Sequence, residues 1–532
     1  MQRRTFLRGL VASLTLAVFG VLSSFALAQE VLVQPYVQPG DGRFLQGTDV
    51  KVISWMTDQK PGEFVVEFQL ASGPFRTAQP VRIALDFKVP KIIPKVDIDK
   101  DDKDDSQAKD GAQKKENKDQ KDQKDPKDDK DPKKSKIPLP PEIEQHYFKY
   151  TAYLDSLPFN SDVHYAVKLD GRVVRQATFR TRATADRSVR CVLVGDMAQG
   201  RDEQKPIAYR ISQQRPEFLM ALGDIVYPTG RMNQYMAYFW GTYNNVTEPG
   251  LKTGAPLMAS VPFYPLLGNH DVGAKLQAVP DALAAYYVFS PPKGGPGEGP
   301  WVTRLGKDEE AIKKFRAATQ DSYPNLDAYS FDNGAAHFVV MNDNKGMEVD
   351  STEFRKWLQA DLMATTAKWK IVCFHIPPFH SSKKHYAEQQ MRRLQPLFEE
   401  CGVDLTFGGH VHNYQRTVPL KFVPRPPLDK TAKVDGQFTL DTHFDGVKNT
   451  KPSGVIHIVA GGGGASLYGP GLDKTVEYLQ KEFAENYGNY TARMVTDEHS
   501  FVVLDITPDR LNLRAIGING NELDEITVTK SR

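Results

Sequence analysis

Apolar and polar residues alternate along much of the first third of the chain. Val50-Lys51-Val52-Ile53-Ser54-Trp55-Met56 keeps this rhythm for most of its length, and so does Glu63-Phe64-Val65-Val66-Glu67-Phe68. A period of two places alternate side chains on one face, so these runs predict half-buried β-strands. Pro39-Gly40 and Pro61-Gly62 supply turns between them. His146-Tyr147-Phe148-Lys149-Tyr150 and His164-Tyr165-Ala166-Val167 continue the style, and Asp170-Gly171 is a two-residue hairpin signal. About seven short strands across 31–90 and 146–182 predict an all-β sandwich with Trp55 in its core.

From about Arg187 the period changes. Strand-length apolar runs now alternate with helical stretches such as Ser351–Met363, where Phe354, Trp357, Leu358 and Leu362 recur at helical spacing. Tyr386–Phe398 reads as a second such helix. This alternation predicts an α/β domain over 186–532.

Two segments fit neither pattern. Met1 to Arg8 is basic, Leu10 to Phe25 is apolar, and Ala26-Leu27-Ala28 precedes Gln29. That is the layout of a secretory signal peptide, residues 1–28, with cleavage after Ala28. Arg3-Arg4-Thr5-Phe6-Leu7 resembles a bacterial twin-arginine signal, which predicts a periplasmic or secreted protein, free of the membrane once cleaved. The second segment, Asp97 to Lys136, packs 14 acidic and 13 basic residues into 40 positions without one aromatic. Such a stretch buries too little apolar surface to offset its ordering entropy, so a disordered, solvated insertion is expected within a β domain at 29–185.

Composition narrows the function. Over 532 residues, 68 Lys and Arg face 66 Asp and Glu, and three of those arginines (Arg3, Arg4, Arg8) lie in the leader. So even a balance gives no global nucleic-acid footprint, and no nucleic-acid partner is expected. Three cysteines exclude a disulfide scaffold. Cys191, Cys373 and Cys401 read as buried free thiols.

Five apolar runs end in chemistry. Val192–Val194 leads to Gly195-Asp196, and Phe218–Leu222 to Gly223-Asp224-Ile225-Val226-Tyr227. Tyr264–Leu267 leads to Gly268-Asn269-His270-Asp271, Lys370–Phe374 to His375, and Val403–Phe407 to Gly408-Gly409-His410-Val411-His412. Ligands of α/β sheets gather at the carboxyl ends of strands, where glycine lets the backbone turn and approach closely. Each cluster alone is a turn or a core histidine as readily as a site; jointly they offer Asp196, Asp224, Tyr227, Asn269, His375, His410 and His412. Seven donors exceed one tetrahedral zinc and suit two adjacent ions sharing a carboxylate. Oxygen and imidazole donors without a thiolate suit Fe, Zn or Mn.

In order, these blocks read GDMAQ (195–199), GDIVY (223–227), GNHD (268–271), VCFH (372–375) and GHVHNYQR (409–416). They resemble the signature of the purple acid phosphatases, within the calcineurin-like metallophosphoesterases. Gln34-Pro35-Tyr36 and Ser54-Trp55 are similar to that family's fibronectin-III-like domain. The resemblance implies a metallophosphoesterase-like αββα sandwich with two mixed β-sheets, preceded by an all-β fibronectin-III-like sandwich. It implies that Asp196, Tyr227 and His412 hold Fe(III), that Asn269, His375 and His410 hold a divalent ion (Zn, Fe or Mn), and that Asp224 bridges them. His270 and His385 would face the substrate phosphoryl group, with His380 as a rival to His385 and Asp271 orienting His270. The implied activity is hydrolysis of small phosphate monoesters by in-line attack of a metal-bound hydroxide. A phosphodiesterase or nucleotide pyrophosphatase on the same site is the nearer alternative, and a non-catalytic surface-binding protein the more distant one. Ala198 stands where the family's first block usually has a second glycine, which puts the local backbone in question. Gly461–Gly464 reads as a turn at the site's rim, since it lacks the Lys-Ser/Thr of a phosphate-binding P-loop. Tyr414 and Arg416 read as packing or supporting residues.

Overall fold

The computed structural model describes residues 29–71, 73–90, 142–276, 278–426, 433–468 and 490–530. The expected leader and charged insertion lie outside the described residues.

The alternating amino-terminal runs form two antiparallel four-stranded sheets. One joins Val31–Gln38, Asp49–Thr57, Glu142–Leu157 and Val81–Pro90; the other joins Arg76–Ala78, Phe64–Leu70, Asp162–Leu169 and Arg172–Arg180. Their inner faces meet at Trp55, which stacks on Tyr150 at 5.2 Å and meets Phe64 of the opposite sheet at 5.0 Å. The indole is fully buried, so truncating it to Ala would cost about 3–5 kcal/mol. The hairpin closes as expected at Asp170 (φ 49°) and Gly171 (φ 78°), the left-handed pair of a type I′ turn.

The first sheet also packs outward onto the rest of the chain. Tyr36 lies 5.0 Å from Trp240 and donates its hydroxyl to the Val288 carbonyl at 2.7 Å. Phe87 meets Tyr287 edge-on at 5.3 Å.

Beyond 186 the chain builds two mixed sheets. The first has six strands, in the order Phe263–Leu266, Phe218–Leu222, Val189–Val194, Ser500–Ile506, Arg510–Gly517, Glu522–Thr529; its first three are parallel. The second has seven, and Ala336–Met341, Trp369–Cys373, Leu405–Gly408 and Ile456–Ala460 run parallel at its centre. Central parallel strands are buried on both faces, which explains why these runs lack alternation. Phe218 of the first sheet meets Phe331 and Phe338 of the second at 5.7 and 5.4 Å, so the sheets face each other over one core. Among the described residues, no helix is long and apolar enough to cross a membrane.

Helix Thr352–Ala364 matches its expected span. Ser351 caps it by accepting the Phe354 N–H, and Phe354, Leu358 and Leu362 face the core. The second expected helix, Tyr386–Phe398, does not form as one element. His385 adopts φ 63°, Gln390–Leu394 is a 3₁₀ turn, and an α-helix spans only Gln395–Glu400. Pro396 has no N–H for an incoming helix, so the α-helix begins at that point. The break leaves His385 and Glu388 in a turn beside the site instead of on a helix.

Candidate metal centre

All five predicted strand ends converge between the two sheets. The six-stranded sheet delivers Asp196, Asp224, Tyr227 and Asn269; the seven-stranded sheet delivers His375, His410 and His412. Six of the seven side chains are buried, while Asn269 and its neighbour His270 are half-buried and open the site to solvent.

Tyr227 stands at the centre of one half. Its hydroxyl lies 3.1 Å from Asp196 Oδ1, 3.1 Å from Asp224 Oδ2 and 3.1 Å from His412 Nε2. In the other half, His375 Nε2 is 3.3 Å from Asp224 Oδ2 and 3.2 Å from Asn269 Oδ1, and the His375 and His410 rings are 5.0 Å apart. Two triads of donor atoms result, Asp196–Asp224–His412 and Asp224–His375–His410, each within 4.8 Å of one another and sharing Asp224. Two buried carboxylates around one phenol oxygen make a place where a bound cation would neutralise charge. The donors are oxygen and imidazole nitrogen, so the residues fit a pair of Fe, Zn or Mn ions.

The backbone is bent to make this possible. Asp196, Asp224 and His410 adopt φ of 59°, 48° and 63°, a region that L residues occupy at a cost of about 1–3 kcal/mol each. Neighbouring contacts hold them there. Asp196 receives the His410 N–H at 2.9 Å, and Asp224 receives the His270 N–H at 2.8 Å. Gly409 has no room for a side chain, since a Cβ would meet Asp196 Oδ2 at 2.6 Å. Ala198 is different. It lies outside the left-handed region, its backbone bridges to Val226, and it donates to the Ile225 carbonyl at 3.0 Å, so its methyl group is accommodated.

Each imidazole is aimed by a second contact. His375 Nδ1 donates to the Leu222 carbonyl at 2.9 Å and His412 Nδ1 to the Ser466 carbonyl at 2.7 Å. That leaves Nε2 of both rings toward the donor cluster. His270 Nδ1 donates to the Pro228 carbonyl at 2.6 Å, with Nε2 3.9 Å from Asp224. Burial works to raise the Asp224 carboxyl, but the charges of His375 and His270 outweigh it and hold Asp224 far below the usual carboxylate range. Burial, then the Asp196 and Asp224 carboxylates, push the Tyr227 phenol well above its ordinary value. Only a cation could make it a phenolate here. Burial and His385 push His410 down to about 4, leaving the neutral imidazole that ligates metals.

His385 does reach the site. Its ring lies 4.0 Å from that of His410, and its Nδ1 is 3.2 Å from Glu388 Oε1. His380 is buried nearby, but it takes the Ser382 N–H at 3.3 Å and packs edge-on to Tyr386 at 6.0 Å. Asp271 does not orient the His270 ring. Its carboxylate accepts the N–H groups of Ile225 (3.1 Å) and Gly268 (2.9 Å), tying the two aspartate- and asparagine-bearing turns together. Tyr414 and Arg416 both bind Asp524, at 2.7 and 2.6 Å, and so serve packing. The three cysteines are buried free thiols, as expected. Gly461–Gly464 does sit at the rim, with Gly463 donating to the Gly195 carbonyl at 3.0 Å.

The sequence pattern did not reveal Glu388, Asp343 or Tyr468. Glu388 spans His385 and His410, with Oε2 3.1 Å from His410 Nε2. Its one local signal is the spacing of three from His385. Asp343 accepts the backbone N–H groups of His375 (2.9 Å) and Ile376 (3.0 Å), and burial raises its carboxyl to about 7. Tyr468 stacks on His412 at 4.3 Å.

Residues 189–414 match the calcineurin-like phosphoesterase family. Among curated proteins, purple acid phosphatase 21 of Arabidopsis thaliana is 38% identical over 141 residues, 23% of this chain and 32% of its own. An uncharacterized protein of Mycobacterium tuberculosis is 25% identical over 339 residues, 59% of this chain and 58% of its own. A solved purple acid phosphatase from yellow lupin (Lupinus luteus) seeds superposes with a TM-score of 0.55 at 17% identity, over 94% of this chain and 74% of that one, which shows a shared fold. Residues 189–414 therefore carry a calcineurin-like phosphoesterase domain, and parts of the chain are similar in sequence to purple acid phosphatases. The chain spans between 26% and 58% of the length of the curated relatives it matches.

Proposed function

We propose that this protein is an exported binuclear-metal phosphatase that hydrolyses phosphate monoesters. The observation that carries the reading is the Tyr227 hydroxyl, which meets two carboxylates and an imidazole at 3.1 Å each. A buried tyrosine that only packs needs one hydrogen-bond partner. Asp196, Tyr227 and His412 would hold Fe(III), for which phenolate and carboxylate are hard anionic donors. Asn269, His375 and His410 would hold Zn, Fe or Mn, with Asp224 shared. When bound, the two cations supply an activated water and neutralise charge on the phosphoryl oxygens.

The chain's own groups bind and orient the ester. His270, half-buried and fixed through Pro228, presents Nε2 beside Asp224, where the imidazolium form would donate a hydrogen bond to a phosphoryl oxygen. His385 approaches from the His410 side, held by Glu388. Donors placed where charge develops stabilise the transition state, and one of these two imidazoles protonates the departing oxygen. The proposed layout is a fibronectin-III-like domain at 29–185 and a catalytic domain at 186–532. Export to the periplasm or beyond rests on the leader pattern at 1–28.

The test is turnover of a phosphate monoester and a diester by purified protein, with Asn269→Ala and His410→Ala alongside. The reading expects monoester hydrolysis that both variants abolish while keeping the wild-type circular dichroism spectrum. Preference for the diester would reassign the substrate class. Full turnover in either variant would remove the metal mechanism.

A further inference from the structure

A small cavity lies where the first amino-terminal sheet packs on the rest of the chain, and it shares no residue with the candidate metal centre. Its volume is about 30 Å³, room for about two water molecules or one chloride ion. Lys149 and Thr151 line it from strand Glu142–Leu157; they stand two residues apart and so on one face. Ser290, Thr319 and Ser322 line it from the other side. Lys149 is only 5% exposed, yet among the described residues its ammonium has no hydrogen bond and no ion pair. Burial pulls its pKa down to about 8, and no carboxylate offsets that pull. Asp41 and Asp321 also line the cavity, but Lys293 takes both, at 3.6 and 2.7 Å. Lys51, as deeply buried on the neighbouring strand Asp49–Thr57, shows the usual arrangement, since Asp49 pairs with it. The hydroxyls of Thr319 and Ser322 donate to the Phe315 and Phe289 carbonyls, at 2.9 and 2.7 Å. Those of Thr151 and Ser290 have no partner among the described residues and can donate into the cavity.

We propose that this cavity binds one small monovalent anion, of the size of chloride, held by the Lys149 ammonium and the Thr151 and Ser290 hydroxyls. A buried ammonium without a partner is costly, and the anion supplies the missing counter-charge. It accepts a charge-assisted hydrogen bond from Lys149 and ordinary ones from the two hydroxyls. Lys149 and Thr151 belong to the first sheet and Ser290 to the chain packed against it, so the ion fastens the two together. The volume excludes a large organic anion such as gluconate. The site stands independently of the phosphatase reading, because none of its residues belongs to the donor cluster.

The test compares wild type, Lys149→Met and Ser290→Ala as sodium chloride replaces sodium gluconate at constant ionic strength. Thermal melting and the chloride NMR line width are followed. An ion that binds only the folded chain should raise the wild-type melting temperature by about 2 °C and broaden the chloride line. Lys149→Met should lose both responses. It should also melt at or above the wild-type temperature in gluconate, since it removes an unpaired buried charge. Ser290→Ala keeps the ammonium and loses one donor, so its response should be weaker and of the same sign. Identical melting of the wild type in the two salts would overturn the site, and so would an undiminished chloride response in Lys149→Met. Should Lys149→Met not fold, a weaker response in Ser290→Ala supports the site and an unchanged one overturns it.

Discussion

His410 and His412 stand two residues apart on one turn, yet they are held by different kinds of partner. His412 gives its Nδ1 proton to the Ser466 carbonyl at 2.7 Å, and the Asp196 carboxylate beside it takes the His410 N–H at 2.9 Å. Around Tyr227, then, orientation comes from the main chain. His410 instead turns Nε2 to the Glu388 carboxylate, whose other oxygen holds His385. Around His410, orientation comes from side chains. The first arrangement survives most substitutions. The second joins a candidate metal ligand to a candidate substrate-facing histidine through one replaceable residue.

Asp224 belongs to both halves, so its loss has the largest expected effect. Asp224→Asn should lower turnover by about a thousandfold or more and leave fewer than two metal ions per chain by elemental analysis. Tyr227→Phe breaks the main-chain-supported half alone. It should remove the visible colour expected of a tyrosinate–iron pair, together with most activity, while the second ion stays bound. Glu388→Gln probes the side-chain support of His410. Loosening a partner of a metal ligand costs about 10–100-fold, so kcat should fall within that range and the colour persist. Equal damage to colour from Glu388→Gln and Tyr227→Phe would erase the distinction between the halves.

The smallest effect on the site is expected from a buried network outside it. His337 lies between Asp332 (2.6 Å) and Asp361 (3.0 Å), and Asp361 also binds Arg43 and Ser330. Burial opposes its charge, but the two carboxylates prevail and raise its pKa above the ordinary value. A raised histidine stabilises the fold fully below its unfolded pKa, about 6.5, and that stability is lost as pH rises through the folded pKa. His337→Gln should therefore lower the melting temperature more at about pH 5 than at about pH 9. A melting-temperature loss that is flat with pH would rule out a charged His337.

The sequence disclosed what depends on local pattern. Alternation located Trp55 and its strands, and the Gly-flanked strand ends located the seven candidate donors, because both signals are short-range. Glu388 and Tyr468 escaped because their roles arise from a broken helix at 385–396 and a loop pinned by main-chain bonds. Neither leaves a periodic trace. Asp271 binds Ile225 and Gly268 instead of the expected His270 ring for a related reason. It precedes no signal of its own, and only the fold brings Ile225 within reach of its carboxylate.

The most direct test of the paired-cation centre is elemental analysis of the purified protein combined with its visible spectrum. The account predicts two metal ions per chain, one of them iron, and a charge-transfer band that vanishes in Tyr227→Phe. Protein that hydrolyses phosphate esters at full rate with one ion or none would contradict it.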